Sequence, residues 1–167
     1  YQPRDEMWSL TERPGNLRLK AFRPLVTDNL LKAGNTLTQR CFRTNKNEVI
    51  VKMNIEGMVD GQKAGLCHYS KSYAIVGVRQ SGKDRNLEFQ TNKEKITGPA
   101  IKGNKVWIKS VWGLDGKSQF SYITDGRKFT PFGEVYQLEW GYYRGSRIGI
   151  YCFNNITDAG YIDVDKF

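Results

Sequence analysis

Short segments of alternating polarity, separated by glycine-containing turns, are the feature that most limits what this chain can fold into. Strand-like segments recur roughly every eight to fifteen residues. Residues 48–55 place Val49, Val51, Met53 and Ile55 on one face of a strand and Glu48, Lys52 and Asn54 on the other. Since no window of about a dozen residues repeats its apolar positions at the spacing of a helix, the sequence predicts an all-β protein.

Two further segments and the turns between them indicate how the strands are arranged. Residues 73–79 are almost continuously apolar, and residues 147–154 are apolar on both faces, so both are predicted to be central strands. The turn dipeptides Ser81-Gly82, Asp115-Gly116 and Asp125-Gly126 suit tight hairpins. We therefore predict a single domain over residues 1–167, with two packed antiparallel sheets in a jelly-roll or concanavalin A-like β-sandwich.

Length and composition agree with one globular domain. The 167 residues are 39% apolar and 13% aromatic, which is typical of a folded domain and not of a disordered chain. The longest apolar stretches are only a few residues, so we expect no membrane partner. The chain begins at Tyr1 with no pattern of a targeting signal, and we expect it to be a module cut from a larger protein.

The charge is strongly basic, with 26 Lys and Arg against 17 Asp and Glu and a net charge of +9. Such a balance favours polyanions in general. The basic residues are scattered singly or in pairs and form no nucleic-acid motif, so we expect no specific nucleic-acid partner. A solvated basic surface is the preferred interpretation, with a preference for acidic glycans as the alternative.

The three cysteines, Cys41, Cys67 and Cys152, are an odd number within apolar or strand-like segments. They are interpreted as small apolar fillers, and their redox state is left open. His68 is the only histidine and directly follows Cys67. Neighbours on a strand point to opposite faces, so this pair is not expected to act as a catalytic dyad, and one histidine is too few for a zinc site.

Six phrases that are collinear along the chain resemble one family. The first and last are Trp8 to Gly15 (WSLTERPG) and Tyr161 to Phe167 (YIDVDKF), and between them lie Asn35 to Arg40 (NTLTQR), Ala64 to Cys67, Gln119 to Gly133, and Trp140 to Gly149. Together they resemble the C-terminal β-sandwich module of family 43 glycoside hydrolases of the β-xylosidase and α-arabinofuranosidase type. The resemblance covers nearly the whole chain and implies the same sandwich fold.

The resemblance also implies a context. In that family a separate five-bladed propeller carries the catalytic acids, so we expect an upstream catalytic domain in cis and no catalytic residue in this chain. The expected partner is plant cell-wall polysaccharide or oligosaccharide, xylan or arabinoxylan. Export to the periplasm or the extracellular space of a bacterium is expected, with the cytoplasm left open.

Exposed aromatic rings are the first candidates for glycan contact, because pyranose rings present apolar C–H faces that stack on indole and phenol rings. The segment from Trp140 to Arg144 is flanked by glycines and concentrates such groups, so it is the main candidate: Trp140, Tyr142, Tyr143 and Arg144. Trp112 is a further candidate. Large aromatic residues in a sandwich are commonly core residues, and that alternative stays open for each tryptophan.

Arginines and amides within the family phrases form a second group of candidates. The planar fork of an arginine can bridge two sugar hydroxyls or clamp a carboxylate of the protein itself. For Arg13 we favour an internal bridge with Glu12. Gln39 and Arg40 point to opposite sides of a predicted strand, and either could line a groove.

Asp163 and Asp165 lie on one face of the last predicted strand. Paired carboxylates are the minimum equipment for glycoside hydrolysis, but the chain lacks the Glu-x-Asp-x-x-Glu spacing of some sandwich glycosidases. Salt bridges to Lys or Arg are the favoured interpretation, with a structural calcium ion as the alternative. No cofactor is expected to be required.

The sequence predicts an accessory, carbohydrate-binding module that is not catalytic on its own. Two alternatives remain open: a structural module that completes the catalytic domain without binding glycan itself, and a sandwich-fold glycosidase in its own right.

Overall fold

The computed structural model of the protein describes residues 4–125, 127–141, 143 and 145–167. These contain fourteen strands and two short 3₁₀ turns, at Asp5–Met7 and Leu30–Lys32, and no α-helix. The strands are β1 Trp8–Ser9, β2 Leu17–Lys20, β3 Thr36–Arg40, β4 Asn47–Asn54, β5 Gln62–Tyr69, β6 Tyr73–Ser81, β7 Asp84–Thr91, β8 Lys95–Ala100, β9 Lys105–Trp112, β10 Lys117–Ile123, β11 Thr130–Pro131, β12 Tyr136–Gln137, β13 Arg147–Asn154 and β14 Tyr161–Lys166.

The strands form two antiparallel sheets. The eight-stranded sheet has the order β1-β2-β14-β4-β9-β10-β11, with β12 also paired to β10, and the six-stranded sheet has the order β3-β13-β5-β6-β7-β8. The predicted all-β sandwich is therefore confirmed. Within the described residues no helix is long and apolar enough to cross a membrane.

The core lies between the inner faces of the two sheets. Strand β4 contributes Val51 and Met53, as its alternation predicts, and both are fully buried. From the six-stranded sheet, Leu66, Val76 and Ile148 pack against them in the same apolar cluster. The alternating pattern of β4 therefore corresponds to one face in the core and one face outside it.

The outer face of the six-stranded sheet is covered by the chain itself. Residues 22–35, which we call the strap, cross this face between β2 and β3. Leu30 and Ala33 of the strap are buried against outward-facing side chains of the sheet, in a second apolar cluster: Cys67, Tyr73, Ile75, Tyr151 and Phe153. The strap thus makes this face of the sandwich part of the interior.

A buried ionic cluster anchors the strap. Asp28 has a positive φ of 58°, and its carboxylate accepts hydrogen bonds from the ammonium groups of Lys63, at 2.6 Å, and Lys95. Lys63 is only 3% exposed and also pairs with Glu88. Burial would raise the pKa of Asp28, but hydrogen bonds from Lys63 and Lys95 outweigh it and leave this pKa below its ordinary value. The cluster is neutralised internally, which is how charged groups are tolerated at this depth.

Two glycines make room for the hydroxyl group of Tyr151 on the same face. Gly65 and Gly77 are paired in register on β5 and β6. A Cβ atom on Gly77 would overlap the carbonyl oxygen of Ala64 and the hydroxyl group of Tyr151. The two positions therefore need glycine for space, and not for an unusual φ.

We predict that Gly77→Ala lowers the free energy of unfolding by about 2 to 3 kcal/mol, because the new methyl group meets backbone atoms that cannot move aside. Gly103→Ala is the matched control, since no atom lies within 4 Å of its added Cβ and we expect a change within about 0.5 kcal/mol. Urea denaturation of the two variants measures both effects. Equal stability of the two variants would show that β5, β6 and Tyr151 are not packed as described.

Candidate functional site

Three connecting segments meet at one end of the sandwich, which we call the loop end. They are residues 41–46 between β3 and β4, residues 113–116 between β9 and β10, and the connection from β12 to β13. The indole N–H of Trp112 donates to the carbonyl of Phe42 at 2.9 Å, and the indole N–H of Trp140 donates to the carbonyl of Leu114 at 3.3 Å. These bonds tie the three segments into one surface.

The connection from β12 to β13 is fixed at its base. The backbone N–H of Glu139 donates to the hydroxyl of Ser146 at 2.9 Å. The carboxylate of Glu139 accepts hydrogen bonds from Ser70 at 3.0 Å and from Ser72 at 3.2 Å, in the turn between β5 and β6. The described part of this connection is therefore positioned by both of its neighbours, as a binding surface requires.

The segment from 41 to 46 is also held in place. The hydroxyl of Thr44 donates to the side-chain oxygen of Asn47 at 2.6 Å, and the amide of Asn47 donates back to the carbonyl of Thr44 at 3.1 Å. The same amide donates to the carbonyl of Trp112 at 3.2 Å. This turn is consequently rigid where it meets the sandwich.

A cleft of about 510 Å³ opens beside these segments. Strand β14 pairs with the second half of β4, at Lys52, Met53 and Asn54. The first half of β4 lies beyond these pairs and lines the cleft. The lining combines apolar and polar side chains: Gln39, Phe42, Asn47, Glu48, Val49, Ile50, Trp112, Lys166 and Phe167. Its volume lies within the usual range for small-ligand sites.

The chemistry of the cleft suits ligand binding. Phe42 and Phe167 are 65% and 50% exposed, so each presents ring surface to a ligand. Gln39 offers an amide, Glu48 a carboxylate and Lys166 an ammonium group. Apolar ring faces beside a few hydrogen-bonding groups are what a sugar needs, because its C–H faces are apolar and its rim carries hydroxyls.

The structure brings two predicted binding residues together and separates a third. Gln39 and Trp112 both line the cleft. Arg40 lies on the other side of β3, in register with Arg147 of β13, and does not line it. The alternation of β3 explains the difference, since Leu37 and Gln39 face the opposite sheet and Arg40 faces away.

Trp112 needs a correction as a predicted platform. Its side chain is 2% exposed and packs in the main core, with its N–H used by Phe42. A ring buried to this extent cannot stack on a sugar, so Trp112 forms the floor of the cleft. Core burial of the indole, which was the open alternative, is what the structure shows.

The residues of the Trp140 to Arg144 segment also differ in how far they are exposed. Trp140 is partly buried, packs against the main core and donates its N–H to Leu114, so it is a support more than an open platform. Tyr143 is 94% exposed. Tyr142 and Arg144 lie outside the described residues, and their predicted roles stay predictions.

Asp163 and Asp165 do not form a calcium site. Both oxygens of Asp163, which is 3% exposed, are engaged by Arg13 and Arg18 at 2.8 to 3.0 Å. Asp165 pairs with Lys52 at 2.8 Å. The described residues contain no group of three or more His, Cys, Asp or Glu that could hold a metal ion. The favoured salt-bridge interpretation is confirmed, and the structure speaks against the calcium alternative because arginines occupy the acceptor oxygens of Asp163.

The predicted bridge between Glu12 and Arg13 is also wrong. Arg13 pairs with Asp163, whereas Glu12 accepts from Lys20 at 2.6 Å and from Arg18 at 3.4 Å. Burial would raise the pKa of Asp163, but hydrogen bonds from Arg18 and Arg13 outweigh it and leave this pKa below its ordinary value. These ion pairs join β2 to β14 and fix the position of the turn at residues 9–16.

A buried set of groups has residue types that occur in nucleophilic catalysis. His68 Nε2 lies 2.7 Å from the hydroxyl of Ser110, and His68 Nδ1 lies 3.5 Å from the thiol of Cys41. Burial lowers the pKa of His68 to about 3 and raises the pKa of Cys41 to about 12, so the pair stays neutral. Since His68 and Ser110 are fully buried, the set is a polar link between the two sheets and not a catalytic site.

The sequence interpretation missed Phe42 and Phe167 as walls of the cleft. A local signal exists for Phe42, an aromatic residue followed by five polar ones, Arg43 to Asn47. An apolar side chain alone in a polar turn is a candidate for ligand contact. Phe167 carries no comparable signal, because the cleft joins it to residues more than a hundred positions away in the chain.

Comparison with known proteins identifies what the chain resembles. Residues 1–167 match the family described as the β-xylosidase C-terminal concanavalin A-like domain. A β-xylosidase of Formosa agariphila is 32% identical over 187 residues, which cover 100% of this chain and 31% of that protein. A putative β-xylosidase of Xylanibacter ruminicola is 30% identical over 160 residues, which cover 95% of this chain and 28% of that protein.

A solved structure agrees with these matches. The bifunctional GH43-CE protein of Bacteroides eggerthii superposes with a TM-score of 0.87 at 26% identity, over 98% of this chain and 22% of that one. The chain thus spans about a third or less of each relative.

We predict that Asp163→Asn lowers the free energy of unfolding by about 2 kcal/mol at pH 7, because two arginines lose the charge that they are packed around. Since the folded-state pKa of Asp163 is lowered, this stability is present above the ordinary value near 4 and is lost as pH falls through the folded-state pKa. The difference between wild type and variant should therefore shrink below about pH 4. Urea denaturation at several pH values measures it.

Asp165→Asn is the matched control on the same strand, because its pair with Lys52 is solvent-exposed and is worth about 0.5 kcal/mol or less. Adding calcium or EDTA should leave the melting temperature of the wild type unchanged. A calcium-dependent rise that disappears in Asp163→Asn would restore the metal interpretation.

Proposed function

The chain belongs to the family of C-terminal concanavalin A-like domains of β-xylosidases, and from this premise we propose that its loop end holds a xylan-type glycan beside the catalytic domain of the same polypeptide. The module is an accessory part of a glycoside hydrolase. Xylan and arabinoxylan are the proposed polymers, and oligosaccharides derived from them are the proposed ligands.

The cleft is the observation that carries this proposal. Its two exposed phenyl rings, Phe42 and Phe167, stand beside the amide of Gln39 and the ammonium group of Lys166. Sugars bind to such combinations because ring stacking removes apolar surface from water while the polar groups bond the hydroxyls. The volume of about 510 Å³ leaves room for a short stretch of a glycan chain.

The covered sheet supports the choice of the loop end over the face of the sandwich. The strap buries Tyr73, Tyr151 and Phe153 on the outer face of the six-stranded sheet. The side chains of Lys63 and Gln90 on that face are used in bonds to the strap or to each other. A glycan would have to displace the strap and break the ion pairs of Asp28 to lie there.

A catalytic domain in cis fits the remaining exposed residues of the loop end. The chain accounts for 31% and 28% of the two β-xylosidases, which leaves most of each protein for other domains. Leu114 and Tyr143 are 50% and 94% exposed outside the cleft. An apolar surface of this kind is a candidate for contact with another domain.

Docking without glycan affinity is the second candidate function, and these same residues favour it. The two functions predict that different substitutions cause the loss of binding or activity. Glycan binding depends on the cleft walls, whereas docking depends on Leu114 and Tyr143 outside the cleft.

We predict that Phe42→Ala weakens binding of xylohexaose to the isolated module by about 1 to 2 kcal/mol, roughly tenfold, because one wall of the cleft is lost. Isothermal titration calorimetry measures the affinity. Leu25→Ala removes a similarly exposed apolar side chain from the strap, 68% exposed, and should leave the affinity unchanged. Thermal melts of both variants should differ little from wild type, because neither side chain is in the core.

Two results would contradict the proposal. Unchanged affinity in Phe42→Ala would remove the cleft as the site. Absence of measurable binding by the wild-type module, together with loss of full-length enzyme activity in Leu114→Ser, would favour docking alone.

We also predict that the isolated chain does not hydrolyse aryl xylosides or aryl arabinofuranosides. Asp163 and Asp165 are used in ion pairs, and Glu94 and Glu134 contact each other on the exposed surface, where their hydrogen bond raises the pKa of Glu94. Carboxylates in direct contact are too close for either glycosidase geometry, which needs separations of about 5 Å or more. Release of nitrophenol from a nitrophenyl xyloside tests this, and turnover that disappears in Asp163→Asn or Glu134→Gln would contradict it.

A further inference from the structure

We propose that the cleft selects glycan chains that carry carboxylate groups, that is, xylan-type chains with uronic acid side groups, and that Arg43 is the main selecting residue. This inference rests on the proposed function, since it names the chemical class of ligand for the same cleft. The evidence for it is the set of charged side chains around the cleft and the position in which one of them, Arg43, is held.

Three cations flank the cleft. Lys166 is one of its lining residues, and Arg43 and Lys46 stand on the segment that carries Phe42. Across residues 4–125, 127–141, 143 and 145–167, none of the three side chains lies within 4 Å of a carboxylate. Lys52 and Arg18, on the outer face of the eight-stranded sheet, differ in this respect, since each has an acidic partner.

One carboxylate, that of Glu48, lies in the lining of the cleft together with Lys166. The partner of Glu48 outside the cleft, Lys109, is 3.9 Å away, at the outer limit of an ion pair. Glu48 and Lys166 balance within the lining, and Arg43 and Lys46, which stand beside it on the turn between Phe42 and Asn47, give this edge of the cleft a positive excess. An anionic ligand is attracted by this excess, and a neutral ligand gains nothing from it.

Arg43 is held in an orientation that suits a carboxylate. Its guanidinium carbon lies 5.5 Å from the ring centroid of Trp140, within the range of a cation–π contact. Trp140 is itself fixed by its packing on the core and its bond to Leu114. When the flat face of a guanidinium packs on an aromatic ring, its N–H groups remain available in the guanidinium plane. A carboxylate in that plane can accept hydrogen bonds from two of them at once.

This arrangement gives a role to the partly buried Trp140. The ring does not stack on the sugar but supports the arginine that binds the acidic group. Phe42, the neighbour of Arg43 in sequence, takes the apolar face of the chain. The xylose backbone of the glycan and its acidic side group would thus be bound by the adjacent residues Phe42 and Arg43. The turn that carries them is held in place by the hydrogen bonds between Thr44 and Asn47.

The test compares two ligands with the same xylose backbone, a linear xylo-oligosaccharide and one that carries a single glucuronic acid. Calorimetric titration of the isolated module at about 20 mM and about 300 mM NaCl should give tighter binding of the acidic ligand at low salt, by roughly tenfold. The preference should shrink at high salt, because exposed charges are screened beyond a few ångströms there. Affinity for the neutral ligand should not depend on salt.

Variants assign the preference to its residue. Arg43→Gln should lower the affinity for the acidic ligand by about two- to fivefold and leave the neutral ligand unaffected. Arg43→Lys keeps the charge but loses the fork, so it should recover only part of the loss. Lys83→Gln, in the turn between β6 and β7 at the other end of the sandwich, makes the same change in net charge and should have no effect.

The outcomes separate this inference from the proposed function. Equal binding of both ligands at both salt concentrations would overturn the selectivity and leave the glycan site standing. A preference that Arg43→Gln and Lys83→Gln reduce equally would also overturn it, because the net charge and not the cleft would then be responsible. Binding of neither ligand would overturn the proposed function, and the selectivity with it.

Discussion

The contact between the strap and the six-stranded sheet is the constraint on which the rest of the structure depends. A sandwich of two sheets has two outer faces and two ends at which a ligand can bind. Here Leu30 and Ala33 close one outer face, and Asp28 fixes the closure through Lys63 and Lys95. With that face inside the protein, the loop end offers the cleft, the exposed rings and the cations beside them.

The sandwich and most of its core could be predicted because they depend on local alternation. Val51 and Met53 are buried where the pattern of β4 places them, and the salt bridges of Asp163 and Asp165 follow from the excess of Lys and Arg. Their partners could not be predicted. Arg13 and Arg18 are 150 and 145 positions away from Asp163, and no local pattern records which strands become neighbours.

The cleft was only half predictable for the same reason. Gln39 and Trp112 were candidates, but an indole is large enough to serve as core or as platform, and only the packing of β9 against the opposite sheet decides that it is a floor. The strap could not be predicted from the sequence, because its residues show no periodicity. Its anchor Asp28 adopts a left-handed conformation, which aspartate tolerates but which the residue type alone does not predict. Long-range pairing, and not local propensity, therefore determines the site.

Burial also explains why His68 and Cys41 form a structural contact and not a catalytic pair. Cys41, which directly follows β3, contacts His68 of β5 although the two are far apart in the sequence, and desolvation keeps both uncharged. The hydrogen bond between His68 and Ser110 joins the inner faces of the two sheets. The groups of the proposed binding site lie instead at the edge of the sandwich, which agrees with the proposed accessory role beside a separate catalytic domain.

The location of the glycan is the central claim, and the four tryptophans allow it to be measured directly. In a ¹H–¹⁵N correlation spectrum of the labelled module titrated with xylohexaose, the indole N–H signals of Trp112 and Trp140 should shift with the ligand, because these indoles bond the cleft wall and the loop end. Those of Trp8 and Trp107 should stay in place, since Trp107 lies under Lys52 on the outer face of the eight-stranded sheet. Shifts confined to Trp107, or to the backbone amides of the strap and the strands beneath it, would place the glycan on a face of the sandwich and contradict the account.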